Sequence, residues 1–467
     1  MLLPFQLGFA PRPTILIPEQ PAPLSSDLQS LLNKSNTSES VPIIVRLKSN
    51  QPLPNLPAGD RSERLKQLIL SLQSRAKTSQ ASLQPWLLEK KQQGQVSNTV
   101  FLWSINAVAL QATPQAIQQL VHLPIVQSIS LDASIDAPVS FSSTLAYEPN
   151  LIQINVDDIH LQGWDGFGVV IASLDTGVNF THPDLINRWR AGTNSWFDPY
   201  HQHLTPYDPS GHGTAVMGVM LGGDAGGTAI GVAPGARWIS AKIFNDAGKA
   251  TTSAIHAAYQ WILDPDNNPE TPDAPHIVNN SWGGTVPGCN LEFQADLQLL
   301  LTAGILPIFS AGNLGPSLAS NASPANLPEA FSVGSVDSLD QVALSSSRGP
   351  SNCSTDGIFP SLVAPGVNIL SAERSDLYGV FSGTSFAAPH ASGLLALILQ
   401  AYPWLTVDQQ RQALLAATID LPPTSPDNQS GQGRLDALAG FSWLECHFGS
   451  PTSLPLNIYL PVVLYRP

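Results

Sequence analysis

Four separated positions carry residue types that could together break an acyl bond: Asp175, His212, Asn313 and Ser385. Ser385 lies in Gly383-Thr384-Ser385-Phe386-Ala387-Ala388-Pro389-His390, and apolar residues continue through Leu394, Leu395, Leu397, Ile398 and Leu399. Apolar all round, that run predicts a buried helix. Pro389 is tolerable within its first turn, where a backbone N–H has no intrahelical partner. Ser385 would then stand at the helix N-terminus, where free N–H groups and the positive dipole end favour a developing oxyanion. The same serine could be an ordinary N-cap, so its partners decide. His212, in Ser210-Gly211-His212-Gly213-Thr214, starts a second buried helix marked by Ala215, Val216, Met217 and Val219, and its flanking glycines allow close approach. Asp175 ends an apolar strand, where a carboxylate is expensive unless hydrogen-bonded or paired. Asn313, after Ala311-Gly312, offers an amide donor. The chain order Asp, His, Ser is one in which nucleophilic triads occur. Asp175 would hold the His212 tautomer, His212 would take the Ser385 proton, and Asn313 with the Ser385 N–H would stabilise the oxyanion.

Positioning such a set requires strands ending at a common edge. Continuous apolar runs at 169–174, 238–243, 277–280 and 306–309 read as parallel strands buried on both faces, with helical patterns around 254–262 and 293–303 between them. Alternating strands and helices predict an α/β fold with a doubly wound parallel sheet, in which reactive groups gather at the carboxyl ends of strands. Asp175 and Ser310-Ala311-Gly312-Asn313 both fall there. Thr406 and Gln409 form a capping-box pattern for a further helix through Ala417. Upstream, strand and helix patterns at 41–47, 62–91, 100–103, 107–110, 116–121 and 126–131 give the β-α-β-β-α-β order of a small α+β, ferredoxin-like domain. The expected organisation is a disordered leader over 1–40, that small domain over 41–133, a linker and processing region over 134–150, the large domain over 151–441, and a tail over 442–467.

Composition narrows the partners. A net charge of -14 argues against nucleic acid, which needs clustered Lys and Arg. No apolar run reaches the length that spans a bilayer, and the apolar N-terminus lacks the basic region of a signal peptide. Of three cysteines, Cys289 and Cys353 each sit in a Gly/Pro-rich loop of the large domain. A disulfide between them, implying an oxidising compartment, is the first reading, and two free buried thiols the other. Cys446 is left over. The Pro-broken apolar run near the end, 454–464, reads first as an edge strand and second as a docking tag.

Asp175-Thr176-Gly177 with His182-Pro183-Asp184-Leu185, Gly211-His212-Gly213-Thr214, Ser281-Trp282-Gly283-Gly284, Ala311-Gly312-Asn313 and Gly383-Thr384-Ser385 follow one another over Leu151 to Ala439. Together they resemble the subtilisin-like serine peptidases (subtilase family, peptidase S8), bacillopeptidase F-like in style. The resemblance implies a secreted serine endopeptidase made as a self-processing zymogen. The small domain would be an inhibitor I9-like propeptide, cleaved between about Leu131 and Asn150, and protein or peptide chains the substrates of a monomeric enzyme. Ser281, Trp282 and Gly283 would pair with extended substrate, and Ser310, Ala311 and Gly312 would line the P1 pocket. Catalysis needs no cofactor; structural calcium occurs in the family, yet no calcium-loop signature stands out and metal ligands are unassigned. Phe386 departs from the family's usual Met, which implies repacking. The alternatives are a narrow-specificity serine hydrolase or esterase, and an idle peptide-binding module. His182 reads as structural, and His201 and His203 as surface-loop residues.

Overall fold

A computed structural model describes residues 21–34, 39–49, 56, 60–137, 148–354 and 357–451. Their contacts divide into two units: one holds the described residues of 1–50, 77–101 and 106–131, the other those of 51–76, 102–105 and 132–467.

The first unit contains α1 (Ser26–Lys34), β1 (Val41–Leu47), the later part of α2 (Arg61–Gln92), β2 (Val96–Leu102), β3 (Ala107–Ala112), α3 (Pro114–Leu120) and β4 (Val126–Leu131). The sheet order is β2-β3-β1-β4, with β1 antiparallel to both neighbours. Alternate residues Val41, Ile43, Val45 and Leu47 enter its core with Val108 and Leu110, as a two-residue repeat requires. They meet Leu83 and Leu87 of α2 and Ile117 and Leu120 of α3. This is the ferredoxin-like arrangement expected. Within the expected disordered leader, however, α1 is helical and Leu28 is fully buried in this core. Leu28, Leu31 and Leu32 stand at helical spacing, but nine residues flanked by Pro, Ser and Asn are too short a run to announce a helix.

The second unit contains β5 (Ser134–Asp136), α4 (Pro149–Gln153), α5 (Val156–Leu161), β6 (Val170–Asp175), β7 (Trp196–Phe197), α6 (His212–Leu221), β8 (Arg237–Lys242), β9 (Lys249–Thr251) and α7 (Thr252–Leu263). It continues with β10 (Ile277–Asn280), α8 (Gln294–Thr302), β11 (Leu306–Ser310), β12 (Phe331–Val336), β13 (Leu362–Pro365), β14 (Ile369–Ala372), β15 (Tyr378–Phe381) and α9 (Thr384–Ala401). Last come α10 (Val407–Ala416), β16 (Thr418–Ile419), β17 (Arg434–Leu435) and α11 (Ala437–Phe448). The main sheet runs β16-β17-β13-β12-β11-β10-β6-β8-β7, parallel except for β16 at one edge.

Successive strand residues feed opposite cores. Ile171, Trp238, Ile277 and Ile308 join α6 and α9, whereas Ala172, Ile239, Val278 and Phe309 join α7 and α8. Helices on both faces explain why these strands read as unbroken apolar runs. Thr406 Oγ1 accepts from the Gln409 N–H and Gln409 Oε1 from the Thr406 N–H, closing the predicted capping box.

Two expected boundaries shift. Ser134–Asp136, assigned to an exposed linker, is strand β5, antiparallel to β9, while 138–147 lie outside the described residues. α11 runs past residue 441, and Leu444 is buried in the core. The apolar stretch at 454–464 also lies outside the described residues.

Candidate active site

β6 lies where the chain turns to opposite sides of the sheet, with β8 on one flank and β10 on the other. A crevice forms at the carboxyl edge of such a switch point. Asp175 ends β6, Ser281 follows β10, and Asn313 follows β11.

His212 opens α6, and Gly213 brings that helix end against Asp175: a Cβ at Gly213 would lie 2.2 Å from the Gly177 carbonyl and 3.1 Å from the Asp175 Cβ. The His212 Nδ1–H donates to Asp175 Oδ1 over 2.7 Å, with both side chains buried. Asp175 Oδ1 also accepts the Thr176 N–H at 2.7 Å. This fixes the tautomer that leaves Nε2 as the basic nitrogen, and Nε2 has no partner among the described residues. Burial pulls the imidazole pKa down, but Asp175, by charge and hydrogen bond, and Asp208 by charge outweigh it, so the pKa is raised.

Asp208 is a residue the sequence reading missed. Its carboxylate accepts from Thr176 Oγ1, the Ser210, Gly211 and Thr214 N–H groups, and Thr214 Oγ1, at 2.6 to 3.0 Å. It thereby satisfies free N–H groups around the start of α6 and lends His212 a second negative neighbour. Its place four residues before the histidine, within Pro-Ser-Gly turn residues, was the available signal.

Ser385 lies at the start of α9, whose N-cap, Gly383, has φ +140°, a conformation that favours glycine. Pro389 sits in the second turn rather than the first. Proline cannot donate to the carbonyl four residues back, which is that of Ser385. Ser281 supplies the missing donor: its Oγ–H donates to the Ser385 carbonyl at 2.8 Å. The Ser385 Oγ–H in turn donates to the Ser281 carbonyl at 3.2 Å, so the hydroxyl is not hydrogen-bonded to His212 in this state. Catalytic hydrogen bonds often form only with substrate in place. Phe386 connects the two helices, its ring 5.6 Å from the His212 imidazole and stacked on Phe381 at 5.2 Å.

Asn313 is oriented by the same helix start. Its Oδ1 accepts from the Thr384 N–H and Oγ1–H at 3.0 and 3.1 Å, so Nδ2 remains to donate outward. Thr384 Oγ1 accepts the Gly312 N–H at 3.1 Å. Ser310 and Ala311 are buried, Gly312 is half-buried, and Asn313 is exposed.

Trp282 turns its side chain into the core, edge-on to Phe293 and Phe309 at 5.5 and 5.9 Å, leaving only backbone at this position to meet a ligand. Gly283 is half-buried and Gly284 exposed. Cys289 and Cys353 are joined, with sulfurs 2.12 Å apart, and Cys446 is free and exposed. His182 is buried, its Nε2 bonded to the Leu377 carbonyl at 2.9 Å. His203 pairs with Asp246 and stacks on Tyr207, 4.1 Å between centroids, so it belongs to the loop's own packing.

Among the described residues no helix is long and apolar enough to cross a membrane. The sequence pattern of the subtilase family matches residues 166–437. The chain is 34% identical to bacillopeptidase F of Bacillus subtilis (strain 168) over 415 residues, covering 80% of this chain and 28% of that protein. It is 30% identical to serine protease AprX of the same organism over 362 residues, 71% of this chain and 78% of that protein. With subtilisin E, also of Bacillus subtilis (strain 168), identity is 31% over 313 residues, 66% and 74% of the two chains. The matched region contains the parallel sheet, the Asp175–His212 pair and the helix start that presents Ser385, and on these grounds the chain belongs to the subtilase family.

Proposed function

We propose that the chain is a serine endopeptidase, made as a secreted zymogen that cleaves itself. The observation carrying this reading is the buried 2.7 Å bond from His212 Nδ1 to Asp175, which leaves Nε2 basic and unpartnered on the helix packed against that of Ser385. As substrate enters, the Ser385 hydroxyl turns from the Ser281 carbonyl to His212. Oγ bonds to the carbonyl carbon as Nε2 takes its proton, and the oxyanion receives hydrogen bonds from Asn313 Nδ2 and the Ser385 N–H. The C–N bond then breaks, and Nε2 returns the proton to the leaving amine. Water hydrolyses the acyl-enzyme by the same proton transfers in reverse roles. Backbone at Ser281, Trp282 and Gly283 would align extended substrate, and Ser310, Ala311 and Gly312 would line the P1 pocket.

The ferredoxin-like unit would act as the propeptide and intramolecular inhibitor. Support comes from the chain just after it: the Ser134–Asp136 strand pairs with Lys249–Thr251, and Asp132 Oδ1 accepts the Ser253 N–H at 2.7 Å at the start of α7. An extended segment added to a strand is a familiar way to hold a peptide. Cleavage would fall between about Leu131 and Asn150.

A fluorophosphonate probe tests the reading. Wild type should label covalently and shorten with time to a new N-terminus within that window, whereas Ser385→Ala should do neither. A processed, folded wild type that never labels would sink the proposal and leave a peptide-binding module. Labelling with turnover of small esters but not casein would replace it with an esterase.

A further inference from the structure

The loop that leaves α7 and feeds β10 reads Asp264-Pro-Asp266-Asn-Asn-Pro-Glu-Thr-Pro-Asp273. It folds so that one carboxylate oxygen from each of Asp264, Asp266 and Asp273 lies within 4.8 Å of the others. Asp264 and Asp273 are only 6% and 8% exposed. Neither oxygen of Asp264 has a hydrogen-bond partner, and Asp273 Oδ1 has none either. Asp273 Oδ2 accepts from Asn194 Nδ2 at 2.9 Å, and Asp266 Oδ1 accepts the Asn268 N–H at 2.9 Å. Burial pushes the Asp264 carboxyl up, and the same Asn268 N–H opposes it from nearby without meeting hydrogen-bond geometry.

Neighbouring cations are spent elsewhere. Arg190 donates to the Asp273 backbone carbonyl, Ser195 Oγ and the Asn194 carbonyl, not to the Asp273 carboxylate, and Lys66 pairs with Glu270. Three carboxylates therefore converge with three buried oxygens unanswered by the protein. Buried carboxylates are otherwise found paired, hydrogen-bonded or on a metal. Burial, followed by Asp266 and Asp264, holds the Asp273 carboxyl up at about 6 against the opposing Asn194 bond and Arg190 charge.

We propose that Asp264, Asp266 and Asp273 form a calcium site that staples the α7-to-β10 crossover. The ligand set decides the ion. All donors are hard carboxylate oxygens in an irregular loop, which suits the flexible six to eight oxygen shell of Ca²⁺. There is no Cys or His for zinc, and the loop lacks the rigid octahedron that Mg²⁺ demands. Asp266 is exposed and gives the ion a way in, while backbone carbonyls and water complete the shell. The staple would hold the approach to β10, whose far end carries Ser281.

Full-length Ser385→Ala protein, which cannot digest itself, is stripped with EGTA and titrated with CaCl₂. Radioactive calcium in equilibrium dialysis counts bound ions, and thermal melting follows stability. At a hundredfold excess over Kd the melting temperature should rise by about 5 °C. Asp266→Asn, at an exposed position that should not impair folding, is expected to bind one calcium fewer per chain and to lose this rise. In EGTA it should melt at or above its parent, because one repelling charge is gone. Asp264→Asn/Asp273→Asn should lose the same ion. Unchanged calcium counts in both variants would overturn the site, as would Asp266→Asn melting well below its parent in EGTA. An equal rise with MgCl₂ alone would overturn the choice of ion.

Discussion

Asp208 touches neither substrate nor nucleophile in the proposed mechanism, yet its charge belongs to the chemistry. It is buried, so solvent screens little of its effect on His212, whose pKa Asp175 and Asp208 together raise. As the proposed general base His212 would work only as neutral imidazole, so a raised pKa should move the acidic limb of kcat/KM above the ordinary histidine value of 6.5. Asp208→Asn removes one of the raising charges, and the limb should shift to lower pH. The variant also gives up acceptor bonds to Thr214 or to the turn amides, costing about 1–3 kcal/mol, so profiles belong well below its melting temperature. A limb that stays put or moves upward would show that Asp208 only shapes the loop. The residues proposed for the triad stand out in the sequence because each adjoins an apolar run. Asp208 does not, because a lone aspartate in a Pro-Ser-Gly turn looks like any turn former.

At the scale of elements, α9 is buried along all but one of its residues, and its one helix-breaking residue is answered by a different strand. Pro389 denies the Ser385 carbonyl its intrahelical donor, and Ser281, just past β10, supplies one. The pair should therefore be coupled. In the Ser385→Ala background, Ser281→Ala should cost about 1–3 kcal/mol by orphaning a buried carbonyl. Pro389→Ala restores an N–H to that carbonyl, so the double variant should lose less than the sum, by about 1 kcal/mol in a denaturation cycle. Strict additivity would mean that the Ser281 hydroxyl and the restored N–H do not answer the same carbonyl. Such compensation explains what the sequence could and could not disclose. Strands at 170–175 and 277–280 were readable because burial on both faces leaves an apolar run, and the split β-α-β order because its periods alternate cleanly. The resemblance implies that the backbone of Trp282 pairs with substrate and says nothing of its ring, which Phe293 and Phe309 draw into the core. α1 escaped because Leu28, Leu31 and Leu32 keep helical spacing over only nine residues amid Ser, Asn and Pro, and the end of α11 because its apolar residues Trp443, Leu444 and Phe448 are interrupted by Glu445, Cys446 and His447. The aspartates of the α7-to-β10 loop escaped because Asp264 and Asp266 acquire their partner, Asp273, only through the fold of a Pro-rich loop.

Across the second unit as a whole, the loops after β10, β11 and β12 are tied into one body at the strand ends. Cys289 and Cys353 join the first and third across 64 positions. Asn321, in the second, donates to the Arg348 and Pro350 carbonyls and accepts the Asn352 N–H, while Asn326 donates to the Gly288 carbonyl. The Gly284 N–H reaches the Ser323 carbonyl at 2.9 Å, so the proposed substrate rim hangs on the same tie. Closing a loop of this length removes unfolded-state entropy worth about 4 kcal/mol in the chain-entropy treatment. For a domain of this size, Cys289→Ala/Cys353→Ala in the Ser385→Ala background should lower the melting temperature on the order of 10 °C. The asparagine lattice should still keep the loops in place, so the variant should fold. Thiol counting supplies the independent check: denatured, unreduced protein should alkylate once, at Cys446, and reduced protein three times. Three thiols before reduction would remove both the tie and the argument for an oxidising compartment. One thiol before reduction with an unchanged melting temperature would leave the bond in place and assign the stability of this edge to the asparagines alone.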